Sequence, residues 1–199
     1  TYQALMRRLR KSKLVPLGDE LRMLRACKDR HEILVMKKAA AIASKALAIL
    51  SKEIRPGWTE REAALHLEMT ARRLGGEQVS FETIVASGKN AALPHARPSN
   101  RKIKEGDFVV VDFGVKYRGY CSDETCTFAI GELTGDQKNA YRAVLQAHDE
   151  AIACIREGIA AADIDAVVRR VLGDRYGRFF VHGTGHGVGL EVHEAPRLA

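Results

Sequence analysis

The sequence predicts an α+β fold in which a helix–helix–strand unit is used twice around a mostly antiparallel sheet. Three observations predict it. A long helical pattern is separated from a shorter one twice by an Arg-x-Gly break, at Arg55-Pro56-Gly57 and, about 100 residues on, at Arg156-Glu157-Gly158. Capping boxes open three of the helical patterns, Asp29 with Glu32, Thr59 with Glu62, and Thr134 with Gln137. Between the two units lies a continuous β-run, Phe108–Phe113, and a second, residues 120–130, follows after a link short enough for a hairpin. With 199 residues, 46% of them hydrophobic and 29% charged, the chain can bury one good-sized core.

In order, residues 1–28 read as the end of an earlier unit: a basic amphipathic stretch, then a break at Pro16-Leu17-Gly18. From the Asp29 cap, apolar positions at Ile33, Met36, Ala40, Ala43, Leu47 and Leu50 keep helical spacing to about Glu53. A second helix runs from the Thr59 cap to about Leu74, closed by Gly75-Gly76. A strand over 82–86 leads into a loop over 87–100 that Pro94 and Pro98 stiffen. The hairpin should turn near Tyr117-Arg118. The Thr134 cap starts a long helix to about Ile155, a shorter one covers about 163–172, and the apolar stretch 179–190 reads as the closing strand.

Composition excludes several roles. The most apolar helical stretch, Ala39 to Leu50, is short and carries Lys45, so no membrane span is expected, and no secretory signal is visible. Cys27, Cys121, Cys126 and Cys154 form no C-x-x-C pair, which favours reduced thiols and a cytoplasmic protein; a Cys121–Cys126 bridge stays open. The net charge of +7 owes much to Arg7, Arg8, Arg10, Lys11 and Lys13. No aromatic residues interleave that run, so a solvated face or linker is expected rather than a nucleic-acid partner.

Two features carry chemistry. A turn at Tyr117-Arg118 sets Asp112 directly across from Asp123, with Cβ atoms about 5 Å apart. Like charges so placed are destabilising unless a cation lies between them; pairing of Asp112 with an arginine and capping of a turn by Asp123 are the alternatives. The second feature is Val181 to Pro196, where His182, His186 and His193 sit among four glycines. Glycine lets backbone approach a ligand and imidazole is the commonest side-chain metal ligand, so the segment reads as one wall of a metal site. His95, in a loop stiffened by prolines, is a further candidate. His31, His66 and His148 read as structural.

Several motifs then point the same way. Leu93-Pro94-His95, Gly106-Asp107 with Asp112-x-Gly114, Gly119-Tyr120-x-Ser122-Asp123-x-Thr125, and the run from His182 to Pro196 resemble those of the Xaa-Pro peptidases. These are prolidase and aminopeptidase P, which share the pita-bread metallopeptidase fold with methionine aminopeptidase. Leu24-Arg25-x-x-Lys28-Asp29-x-x-Glu32-Ile33 is similar to the start of their catalytic domain, so residues 24–199 read as part of that domain and 1–23 as the remnant of a preceding domain or linker. The resemblance implies two divalent metal ions, manganese first, with cobalt, zinc or iron as alternatives. Asp112, Asp123 and His186 match metal ligands; His95 and His193 match catalytic histidines and His182 a substrate-binding one. It implies hydrolysis of the bond before proline, in dipeptides or at peptide N-termini, by a metal-bridged hydroxide, and a homodimer. Two family ligands, both glutamates, fall past Ala199, and Glu191 and Glu194 do not match them. Cys126 stands where the pattern has arginine, which removes an expected charge partner near the site. The alternative is a pita-bread domain, weak or inactive in catalysis, that binds protein or nucleic acid.

Overall fold

The structure is a computed structural model that describes residues 2–9, 11–15, 17–18 and 20–199. Arg10 of the basic run and Pro16 of the expected break lie outside the described residues. Two short helices, α1 (Tyr2–Arg8) and α2 (Glu20–Ala26), precede α3 (Arg30–Glu53) and α4 (Glu60–Arg73). Strands β1 (Gln78–Val79), β2 (Ile84–Ser87), β3 (Phe108–Phe113), β4 (Val115–Tyr117), β5 (Tyr120–Cys121) and β6 (Glu124–Ala129) follow. Then come α5 (Gly135–Cys154), α6 (Ala161–Gly177), β7 (Gly185–Gly187) and β8 (Glu194–Leu198). None of the described helices is long and apolar enough to cross a membrane.

All three expected capping boxes form. Asp29, Thr59 and Thr134 each accept the backbone N–H three residues on, and Glu32, Glu62 and Gln137 reach back to the cap. Each box satisfies two amide groups that would otherwise lack a partner, which fixes where α3, α4 and α5 begin. The two helix pairs are split at the two Arg-x-Gly breaks, as the repeat requires.

The first unit holds the main core. Antiparallel strands in the order β2-β3-β6 form a sheet whose helix-facing side carries Val85, Val109, Val111 and Phe113, all fully buried. They pack against Ile42, Ala46, Leu47 and Leu50 of α3 and Ala63, Leu67 and Ala71 of α4. Strand alternation therefore turns Val110 and Asp112 to the other side of the sheet. A second, smaller cluster joins α5 to α6 through Ala147, Ala151, Ile164, Val168 and Leu172, with Phe180 and Leu198 packed against it.

Two expectations need correction. The hairpin turns at Arg118-Gly119, one residue later than expected. Both central residues take left-handed φ, 47° at Arg118 and 84° at Gly119. A two-residue turn whose twist matches the strands needs positive φ twice, and glycine supplies one of them without a Cβ penalty. That single step moves the cross-strand register by two, so Asp112 faces Thr125 and not Asp123. Second, residues 179–190 are not one strand. Phe179 and Phe180 close the end of α6 with N–H bonds to the Tyr176 and Gly177 carbonyls, and only Gly185–Gly187 pairs, with β8. The apolar run there reflects packing of Phe180 on the α5–α6 cluster, not strand formation.

Candidate metal centre

Asp112 stands on the sheet face away from the helices, beside Thr125 of β6, whose hydroxyl donates to Asp112 Oδ1 at 3.0 Å. Asp123 lies two residues before Thr125, on the same side of the hairpin. The strands are interrupted there: the Ser122 N–H donates to the Val115 carbonyl at 2.9 Å, while the Val115 N–H turns to the Ser122 hydroxyl at 3.0 Å. Both aspartates are half-buried and their carboxyls are pushed above the usual range. For Asp112 burial is the cause, only partly offset by the Thr125 hydrogen bond and by His186, His193 and His95. For Asp123 burial comes first and the charge of Asp112 second.

The histidine segment supplies the opposite wall. The Nδ1 of His186 lies 2.9 Å from the Gly187 carbonyl. A carbonyl only accepts, so Nδ1 is the donor and, in the neutral ring, Nε2 carries the lone pair. That Nε2 faces Asp123 Oδ2 at 3.3 Å. Two lone pairs so placed call for a cation between them, a proton or a metal. The ring of His193 packs beside that of His186, centroid to centroid 4.3 Å. Asp112, Asp123, His186, His193 and His95 thus share one electrostatic neighbourhood. His182 stands apart, with its ring against the edge of Phe180 and Nδ1 on the Gly183 carbonyl. His66 pairs with Glu53 and His148 with Asp149, away from the cluster.

Both ends of the segment are tied by carboxylates. Asp165 of α6 accepts from the Thr184 N–H and hydroxyl at 3.1 and 2.7 Å, and from Arg169 Nε at 2.6 Å; Arg169 in turn donates to the Phe180 and His182 carbonyls. At the other end Glu194, nearly buried, accepts from Lys28 Nζ at 2.9 Å, from the Glu191 N–H at 3.1 Å and from Arg25. Burial pushes the Glu194 carboxyl up, and those donors more than reverse it. Its oxygens are engaged, so Glu194 is no spare ligand. The hairpin turn docks on the same segment through Cys121 N–H to the Gly189 carbonyl, 2.7 Å.

Sequence reasoning missed Thr125, Asp165, Arg169 and Glu194 as partners of the site. Thr125 was legible, because it lies in the Asp123 motif at strand spacing. The Glu194 cluster joins positions more than 160 residues apart and leaves no local signal. Cys126 is placed differently from expectation. It sits opposite Val111 on the helix-facing side, packed on the core, with Glu124 raising its thiol further after burial. Exchange of arginine for cysteine there changes the far face of the sheet, not the carboxylate pair. All four cysteines are free, so the Cys121–Cys126 bridge is absent.

The donor set, two carboxylates and a neutral imidazole, suits a divalent cation. Among the described residues, no three His, Cys, Asp or Glu side chains converge closely enough to grip an ion as they stand.

Comparison with known proteins bears on the fold and the family. The model of metallopeptidase family M24 matches residues 35–199. The Xaa-Pro dipeptidase of Pyrococcus horikoshii is 41% identical over 184 residues, 92% of this chain and 52% of that protein. A solved Xaa-Pro dipeptidase from Bacillus anthracis superposes with a TM-score of 0.96 at 41% identity, covering all of this chain and 56% of its own. The X-Pro aminopeptidase of Thermotoga maritima gives 0.94 at 38%, with the same coverage. The fold is therefore that of the pita-bread peptidases, and the chain spans about half the length of the relatives it matches.

Proposed function

This chain belongs to metallopeptidase family M24, and from that premise we propose that it is the metal-binding part of a peptidase that cleaves the bond before proline. The observation that carries the reading is the pair of half-buried carboxylates, Asp112 and Asp123, with His186 Nε2 3.3 Å from Asp123 Oδ2. Asp112, Asp123 and His186 would hold divalent cations, two in number and manganese by preference; the resemblance implies two further glutamate ligands, a role that Glu191 and Glu194 do not match. Bound cations supply charge that polarises a peptide carbonyl and makes water acidic enough to attack near neutral pH.

The chain's own residues do the rest. Thr125 fixes the Asp112 carboxylate through its hydroxyl, so that Oδ2 remains for a ligand. The Gly187 carbonyl keeps the His186 proton on Nδ1. His193 and His95 present ring N–H groups to the substrate carbonyl and its leaving nitrogen, stabilising the charge that develops there. His182 binds the substrate at the outer end. Proline lacks an N–H and fixes φ, so a site for it needs shape more than a backbone hydrogen bond. The substrate is an Xaa-Pro dipeptide or a peptide beginning Xaa-Pro. Residues 1–23 serve as a linker from a preceding domain, 24–199 form part of the catalytic domain, and the protein is cytoplasmic and homodimeric.

A second reading is a pita-bread domain that binds another macromolecule without catalysis. The absence of three converging ligands among the described residues favours it. Hydrolysis of Ala-Pro and of a longer Xaa-Pro peptide, with and without manganese, separates the two when run on this chain and on a version extended to the length of its relatives. Manganese-dependent cleavage in either form supports the peptidase. No cleavage and no manganese uptake in both overturns it.

A further inference from the structure

We propose that Glu60, outside the metal centre, is the positioning residue for His95; the inference rests on the peptidase reading above. Glu60 is the first residue of α4 and is wholly buried. Among the described residues no lysine or arginine hydrogen-bonds its carboxylate, although Arg101 acts on it through charge. It is held instead by neutral donors from the two ends of the loop that carries His95. Ser87 donates its N–H and hydroxyl to Oε1 at 2.7 and 2.8 Å. Ser99 donates its N–H and hydroxyl to Oε2 at 3.1 and 2.6 Å. Asn90 Nδ2 bridges both oxygens at 3.1 and 3.2 Å. One oxygen thus holds each end of the loop.

Between those ends Gly88–Ala92 form a short 3-10 helix and Arg97 pairs with Glu82 at 3.1 Å. Leu93 and His95 are exposed, and the buried side chain there is Ala96. Beyond that helix the backbone closes bonds from the Leu93 N–H to Asn90 and from the Ala96 N–H to Leu93, and at the far end the Arg61 N–H reaches the Ser99 carbonyl at 3.1 Å. The exposed tip that carries His95 hangs from the two ends that Glu60 clamps, so the span between Ser87 and Ser99 helps set where His95 stands relative to Asp112. Burial pushes the Glu60 carboxyl up, but the Ser99, Ser87 and Asn90 donors outweigh it and keep the group ionised. A second carboxylate extends the clamp: Arg101 donates to the Ser87 hydroxyl and, through both terminal nitrogens, to Asp107 at 2.7 and 3.0 Å. A glutamine at 60 keeps the volume but has a single acceptor oxygen, so one end of the loop must lose its partner.

The test uses Glu60→Gln and, as a milder variant, Ser99→Ala. Hydrogen exchange followed by mass spectrometry should show faster exchange over 88–98 in both, with Phe108–Phe113 unchanged. Manganese binding, measured by calorimetry, should stay within about twofold of the parent, because the carboxylates and His186 are untouched. In the form that cleaves Ala-Pro, Glu60→Gln should lower kcat/KM by about tenfold or more. In a His95→Ala background the same change should have an effect of less than about twofold. Unchanged exchange in both variants, or full additivity with His95→Ala, overturns the inference. Faster loop exchange in a protein that cleaves no Xaa-Pro substrate at any length overturns the peptidase reading and leaves the clamp standing.

Discussion

Replacing Gly114 by alanine strikes the fold and the candidate metal centre at one point. The Ser122 carbonyl oxygen lies 2.0 Å from where a Cβ on residue 114 would stand, and the Ser122 carbonyl carbon and the Phe81 ring lie at 3.0 Å. Ordinary contacts begin at about 3.4 Å, and the obstructing oxygen is backbone, so the two arms of the hairpin must part by ~1 Å or more. Overpacking of this kind costs about 1–3 kcal/mol. In a chain of this size each kcal/mol lowers the melting midpoint by about 2–4 °C, so Gly114→Ala should melt roughly 5–10 °C below the parent. The parting also acts on the carboxylates, since Asp112 and Asp123 lie on the two arms close to residue 114. Differential scanning fluorimetry with and without millimolar manganese reads both effects. Binding to the folded state alone raises the parent's midpoint, and the variant should lose most of that rise. A variant that melts within about 1 °C of the parent and keeps its full manganese response would refute the close-approach argument.

The raised carboxyls predict a change of opposite sign. Their charged forms are disfavoured in the folded chain, a penalty present above the raised folded value and relieved as pH falls through it. Asp123→Asn should therefore melt higher than the parent at pH 7 without metal, yet gain nothing from manganese; a lower metal-free midpoint would contradict it. Glu60, Asp107, Asp165 and Glu194 are held below the usual carboxylate range. Their stabilisation is complete above about pH 4.5 and is lost as pH falls through the lower folded values. The urea midpoint should accordingly hold between about pH 7 and 5 and fall below about pH 4, and a midpoint that rises there would sink the assignment. Glu194→Gln leaves Arg25 and Lys28 facing a neutral amide, so cleavage after Glu191 by a glutamate-specific protease should accelerate about tenfold; unchanged cleavage means the loop is held some other way.

Helices α3, α4 and α5 were almost fully legible because their boundaries are set by short-range chemistry, whereas α2 was not foreseen and α6, without a side-chain cap, runs beyond its expected ends. Asp29, Thr59 and Thr134 cap where the sequence places them, since a side chain three residues from its partner needs no distant help. Strand β3 was equally plain, as its apolar run has one side to bury. The register was not, because it hangs on which of two adjacent residues centres the turn, and the positive φ at Gly119 decides that. His186 does meet Asp123, through a segment from the other unit, while Asp112 shares their electrostatic neighbourhood through the hairpin offset. The carboxylates that steady the site, Glu60, Asp165 and Glu194, were invisible as such. Their partners lie between 3 and 169 positions away, and a charge in a sequence does not declare what it will meet.

The ties from Arg25 and Lys28 to Glu194 span 169 and 166 positions. During synthesis, α3, α4 and the strands bearing Asp112 and Asp123 emerge, and can settle on one another, while His186 is still unmade. The acidic half of the centre is thus made first, with His95 the one imidazole of the cluster that precedes it. Completion waits until the segment around Glu194 leaves the ribosome and is caught by a helix made some 170 residues earlier. Contacts of such separation form late and slowly. The acidic wall of the centre is thus made before its imidazole wall, and Arg25 of α2, made earlier still, is one of the two cations that tie the later segment down.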